Sequence, residues 1–111
     1  MQFDNSVRAI VFASGFACVA IAQAAQIGGA EQGLAIARTR CAECHLLGKE
    51  TGRSVNENAP TFAKIANTPG MTAAALRAAL NSSHRTMPNL VLEGDDADGI
   101  TAYILSLKAD R

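Results

Sequence analysis

The chain has 111 residues, with ten Lys+Arg against ten Asp+Glu and 49% hydrophobic residues, enough for one small domain and no more. This balance leaves no basic field to hold nucleic acid and no single-signed surface to steer a charged partner. Two of the three cysteines stand close together at Cys41 and Cys44, and the third, Cys18, lies in an apolar N-terminal stretch.

Met1 to Arg8 is short and polar, and Ala9 to Ala22 (AIVFASGFACVAIA) is uncharged and almost wholly apolar. That length suits the hydrophobic region of a signal peptide and falls short of the roughly 20 residues a membrane-spanning helix needs. Ala22-Gln23-Ala24 follows as an A-x-A cleavage pattern. Residues 1–24 are therefore expected to be a cleaved secretory signal peptide and 25–111 the mature domain, exported to the periplasm with no stable membrane insertion. The alternative, an uncleaved anchor, lacks both length and a stop-transfer flank. A lipoprotein signal would want an aliphatic residue three positions before Cys18, where Gly15 stands, so Cys18 is expected to leave with the signal. The mature chain then keeps two cysteines and no disulfide framework, although export would permit one.

Glu31 to Arg40 (EQGLAIARTR) is rich in helix formers, and Gly33 and Ala37 place small residues one turn apart, where another helix can approach. Thr51 to Ala59 is polar, without periodicity, and ends at Pro60 as a loop. Thr61 to Ala66 (TFAKIA) reads as a short helical piece, stopped by the turn Asn67-Thr68-Pro69-Gly70. Thr72 is a good N-cap for TAAALRAAL, with Leu76 and Leu80 one turn apart. Asn81 to Asn89 is again a loop. Asp95 to Lys108 is the strongest helix, with three aspartates in its first turns and an apolar stripe of Ile100, Tyr103, Ile104 and Leu107. No strand alternation competes with these helices, so the fold class is all-α.

Between the first helix and the first loop lies Cys41-Ala42-Glu43-Cys44-His45, the C-x-x-C-H pattern of c-type haem attachment. Each thiol can form a thioether to one vinyl group, and the adjacent histidine is held beneath the iron. Zinc would want a fourth ligand, for which only His84, a carboxylate or water is at hand. A thioredoxin-like dithiol would follow a strand, and what precedes Cys41 is helical. One covalent haem c per chain also suits an 87-residue domain, whose thin core benefits from a staple. Export without the attachment machinery is expected to yield largely unfolded apoprotein.

Taken together, the helix running into CAECH, NAPTF at 58–62, MPNL at 87–90 and the closing ITAYILSL resemble the class I mono-haem cytochromes c of the small bacterial periplasmic type, over nearly all of 28–108. The resemblance implies three to five helices wrapped around one haem, with the first and last crossing near Gly33 and Tyr103. It implies His45 and Met87 as axial iron ligands and the Pro60 carbonyl as acceptor for the other ring nitrogen of His45. Where the family often carries an aromatic four residues before the first cysteine, this chain has Ala37.

Met87 also suits the sixth position by its own chemistry. A thioether is a soft ligand, and its loop lies far enough from Cys44 to cross the haem edge. Its bland alternative is a gap-filling core methionine. Met71, at a helix start, reads as poorly placed to reach out. His84 could instead give bis-histidine coordination, although an exposed loop histidine is the simpler reading. Phe62, Ile65, Leu76, Leu80, Leu90, Ile100, Tyr103 and Ile104 are assigned to the haem-packing core. Arg38, Arg53 and Arg85 are candidates for propionate pairing, with solvated surface charge the simpler fate of each. Asp95, Asp96 and Asp98 read as helix N-terminal charge, not as calcium ligands.

The expected function is a monomeric periplasmic electron carrier, not an enzyme, that exchanges electrons with redox partner proteins. The donor would be a dehydrogenase or reductase, and the acceptor an oxidase or another cytochrome. Two alternatives remain: a haem enzyme or gas or peroxide sensor with a labile sixth ligand, and the haem subunit of a dehydrogenase or oxidase complex.

Overall fold

A computed structural model describes residues 29–82, 84 and 86–110. The signal-peptide reading of 1–24, Cys18 within it and the Arg85 candidate lie outside these residues. Four helices make up the described fold, with no strand among the described residues. They are α1, described over 29–40, α2 Phe62–Ala66, α3 Ala73–Leu80 and α4 Gly94–Ser106. Among the described residues no helix is long and apolar enough to cross a membrane.

The short helices start where their side chains satisfy free backbone donors. Thr61 caps α2 by accepting from the Lys64 N–H, and Thr72 caps α3 by accepting from that of Ala75. Thr61 is therefore the cap of α2 and not its first residue. The start of α4 has no side-chain cap, but Asp95 and Asp96 stand in its first turn, where negative charge offsets the exposed N–H groups. At its other end α4 stops at Ser106, short of the expected Lys108. Leu107 N–H turns back to the Ile104 carbonyl, and Asn67 then takes over the chain. The Asn67 side-chain amide donates to the Leu107 carbonyl at 3.3 Å and its oxygen accepts from Ala109 N–H at 2.9 Å. One residue of the α2 turn thus ends α4.

The core forms where α4 meets the other helices. Ala37, Cys41, Phe62, Ala66, Leu76, Ile100, Tyr103, Ile104 and Leu107 make one buried cluster, with Ile65 and Leu80 half-buried against it. Helices α1 and α4 cross glycine against glycine, Gly33 against Gly99. A methyl group built on Gly33 would overlap the Gly99 carbonyl and come within 2.8 Å of Ile100 N. The crossing partner of Gly33 is therefore Gly99, one turn before the expected Tyr103, because only a residue without Cβ lets the backbones come this close. Ala37, at 0% exposure, lies one turn along from Gly33, and Tyr103 one turn along from Gly99. The Tyr103 hydroxyl donates to the Leu47 carbonyl at 2.9 Å, which ties α4 to the segment after the cysteines.

Candidate functional site

The C-x-x-C-H run continues the last turn of α1. Cys41 and Ala42 both donate to the Ala37 carbonyl, and His45 N–H returns to the Cys41 carbonyl at 2.9 Å. This turn sets Cys41 and Cys44 three residues apart on one side of a helical path. Cys41 is buried and Cys44 half-buried, both as free thiols. Burial raises the Cys41 thiol above its ordinary pKa, with nearby Arg40 opposing.

The loop beyond the motif is stitched back onto it. Asn56 N–H donates to the Cys44 carbonyl and Phe62 N–H to that of Leu46, while Ser54 Oγ accepts from Leu46 N–H at 3.1 Å. The consequence is that Pro60 arrives beside the histidine, with His45 Nδ1 2.6 Å from the Pro60 carbonyl oxygen. A carbonyl can only accept, so Nδ1 carries the hydrogen and Nε2 is left with the free lone pair. The His45 ring also packs against Phe62, centroids 5.3 Å apart, and Phe62 against Tyr103 at 6.3 Å.

These residues share a cavity of about 470 Å³, within the roughly 300–1,000 Å³ range of cofactor-sized pockets. Cys41, Cys44, His45 and Pro60 line it from the motif and its loop, Phe62, Leu76, Ile100 and Ile104 from the helices. His84, Met87, Leu90 and Leu92 come from the segment between α3 and α4. Met87 is half-buried and His84 exposed. The donor set fits a haem. There are two thiols one turn apart, an imidazole fixed in one tautomer, a thioether on the same cavity and an apolar lining for the macrocycle.

Arg38 and Arg53, the propionate candidates among the described residues, are not in that lining. Both are exposed, and Arg53 stands 3.7 Å from Glu57 in a surface pair. Arg40 and Met71 are among the lining residues that the sequence reading did not assign to the site. Arg40 reaches from beside Cys41 to the Val91 carbonyl at 3.3 Å, joining the motif to the segment that bears Met87; its position next to the first cysteine was the available signal. Met71 also lines the cavity, which the reading of it as poorly placed to reach out as a ligand did not anticipate. It precedes α3 in a turn whose carbonyl is held by Lys108 Nζ at 2.7 Å, a long-range contact that local sequence does not disclose.

No family model matches the chain, and no solved structure matches it. A curated relative does: the chain is 34% identical over 80 residues to cytochrome c-552 of Bradyrhizobium diazoefficiens, a match covering 71% of this chain and 75% of the relative. With that similarity, an all-helical fold and a C-x-x-C-H turn opening onto one large apolar cavity, the chain belongs to the cytochrome c family.

Proposed function

We propose that this protein is a class I mono-haem cytochrome c, an exported periplasmic carrier of one electron with His/Met axial ligation. The observation that carries this reading is the contact of His45 Nδ1 with the Pro60 carbonyl at 2.6 Å, which leaves Nε2 as the nitrogen able to ligate iron. Haem iron, when bound, supplies the one-electron ferric–ferrous couple. Cys41 and Cys44 would hold the macrocycle by thioethers, and Met87 would fill the second axial position. Pro60 acts at one remove, orienting the ring and raising its basicity as an outer acceptor on a metal-bound histidine does. The soft thioether of Met87 favours the ferrous state and raises the potential. The apolar lining keeps water from the iron, and two protein ligands leave no position for a substrate. Those are the properties of an electron carrier, and the reading makes it a monomer passing electrons from a donor dehydrogenase or reductase to an acceptor oxidase or other cytochrome.

The test is an optical spectrum of protein exported together with the attachment machinery. Haem that stays with the polypeptide on denaturation, and a far-red sulfur-to-iron charge-transfer band in the ferric form that is lost in Met87→Ala, would support the reading. A wild-type protein that is high-spin, or that binds carbon monoxide readily when ferrous, would replace it with the enzyme or sensor reading.

A further inference from the structure

The cavity carries one iron-ligating side chain that the carrier reading leaves unused. His84 lines the same cavity as Met87 and His45. Among the described residues the only imidazole hydrogen bond is that of His45, so no partner there pins the His84 ring. Residues 84 and 86–93, which carry both His84 and Met87, contain no helix or strand before α4 begins. Among the described residues no ladder of backbone bonds resists their displacement, and Arg40 holds them at the Val91 carbonyl, beyond Met87. Resting on the His/Met reading above, we infer that His84 is the reserve axial ligand of this site, taking the iron position whenever the Met87 thioether is removed from it.

The argument is one of reach and chemistry. Met87 is half-buried and His84 exposed, so the thioether is the resident group and the imidazole waits at the rim. One axial position takes one side chain, and three residues of chain reach at most about 10 Å, so exchange requires the segment to move by no more than about that distance. An imidazole is an ordinary ligand for iron and, being harder than a thioether, favours the ferric state. Replacing Met87 by His84 therefore lowers the reduction potential and keeps the iron six-coordinate. The consequence is protective: loss of the methionine turns a carrier into a low-potential bis-histidine protein, not into one with a vacant iron position open to small ligands.

Four holoproteins test this: wild type, Met87→Ala, His84→Ala and the double variant, each examined by ferric optical and electron paramagnetic resonance spectra and by potentiometric titration. Met87→Ala is expected to lose the far-red band yet stay low-spin, with a lower potential than wild type. His84→Ala should keep the far-red band and the low-spin ferric spectrum, and the double variant should become high-spin and return to low-spin on addition of free imidazole. The inference is overturned if Met87→Ala is already high-spin, or if the double variant stays low-spin, which would hand the position to another group such as Met71. It also fails if free imidazole does not restore the double variant, since the pocket and not the ligand would then have been lost. Failure of the underlying reading looks different, because the wild type itself would lack the far-red band.

Discussion

Replacing Gly33 by alanine tests the helix crossing on which the cavity is built. The new methyl would overlap the Gly99 carbonyl and lie 2.8 Å from Ile100 N, and both are main-chain groups that cannot rotate aside. Overpacking costs about 1–3 kcal/mol, and a backbone obstacle puts this site at about 3 kcal/mol on that scale. Alanine regains about 1 kcal/mol of helix propensity over glycine, which leaves a net loss of about 2 kcal/mol. For a domain of this size each kcal/mol moves the melting temperature by about 4–8 °C, so a fall of about 8–16 °C is expected. Two glycines of α4 serve as internal controls. A methyl on Gly99 meets Gly29 O, Gly33 N and Gly33 Cα at 3.2, 3.2 and 3.3 Å, and one on Gly94 meets nothing within 4 Å. The first needs only a few tenths of an ångström of give and should cost about 1 kcal/mol or less. The second should be neutral or slightly stabilising. Thermal melts of the holoproteins by far-ultraviolet circular dichroism would rank them. A Gly33→Ala protein melting within about 2 °C of wild type, or level with Gly99→Ala, would refute the close crossing.

Tyr103→Phe leaves the Leu47 carbonyl without its donor and is expected to cost about 1 kcal/mol in denaturant titration. Burial, with Glu50 adding and Arg38 opposing, raises the Tyr103 phenol above its ordinary pKa. The unfolded chain therefore loses this proton first, so stability holds below about pH 10 and falls as pH rises beyond it. Tyr103 is the single tyrosine of the chain, so titration of its ultraviolet absorbance should show a midpoint above that of a model phenol, and Tyr103→Phe should flatten the alkaline decline. Thr101 is 5% exposed, and its Oγ1 finds no hydrogen-bond partner among the described residues. Thr101→Val is accordingly expected to be neutral or to raise stability by up to about 1 kcal/mol, and a clear loss would mean that the hydroxyl has a partner. Asn67→Ala removes the bonds to Ala63, Leu107 and Ala109 and should cost about 1–2 kcal/mol, with amide exchange quickening first at the end of α4.

The helical pieces and the C-x-x-C-H run were legible because their causes are local. Thr72 announces a helix start with a hydroxyl that the chain's own next turn uses, and the stripe Ile100, Tyr103, Ile104 and Leu107 repeats at the helical period and is buried. The same logic fails at the end of α4. Lys108 is as good a helix former as its neighbours, and the helix stops because Asn67, some forty residues earlier, captures Leu107 and Ala109. The place of Met71 on the cavity wall was illegible for a similar reason, since its helix-start position says nothing of the Lys108 contact that holds its turn there.

By itself the sequence determined the all-helical class, the covalent chemistry available at Cys41, Cys44 and His45, and the small residue at Gly33 that invites a close neighbour. Tertiary structure alone decided which residue that neighbour is, because Gly99 is one of several small residues in α4 and only the crossing selects it. It also decided the state of His45. The side chain carries two ring nitrogens in any sequence, and which of them is engaged and which left free is set only when a folded loop brings the Pro60 carbonyl to Nδ1. Local patterns specify what a segment can do; a contact between segments fifteen or sixty residues apart is a property of how they pack.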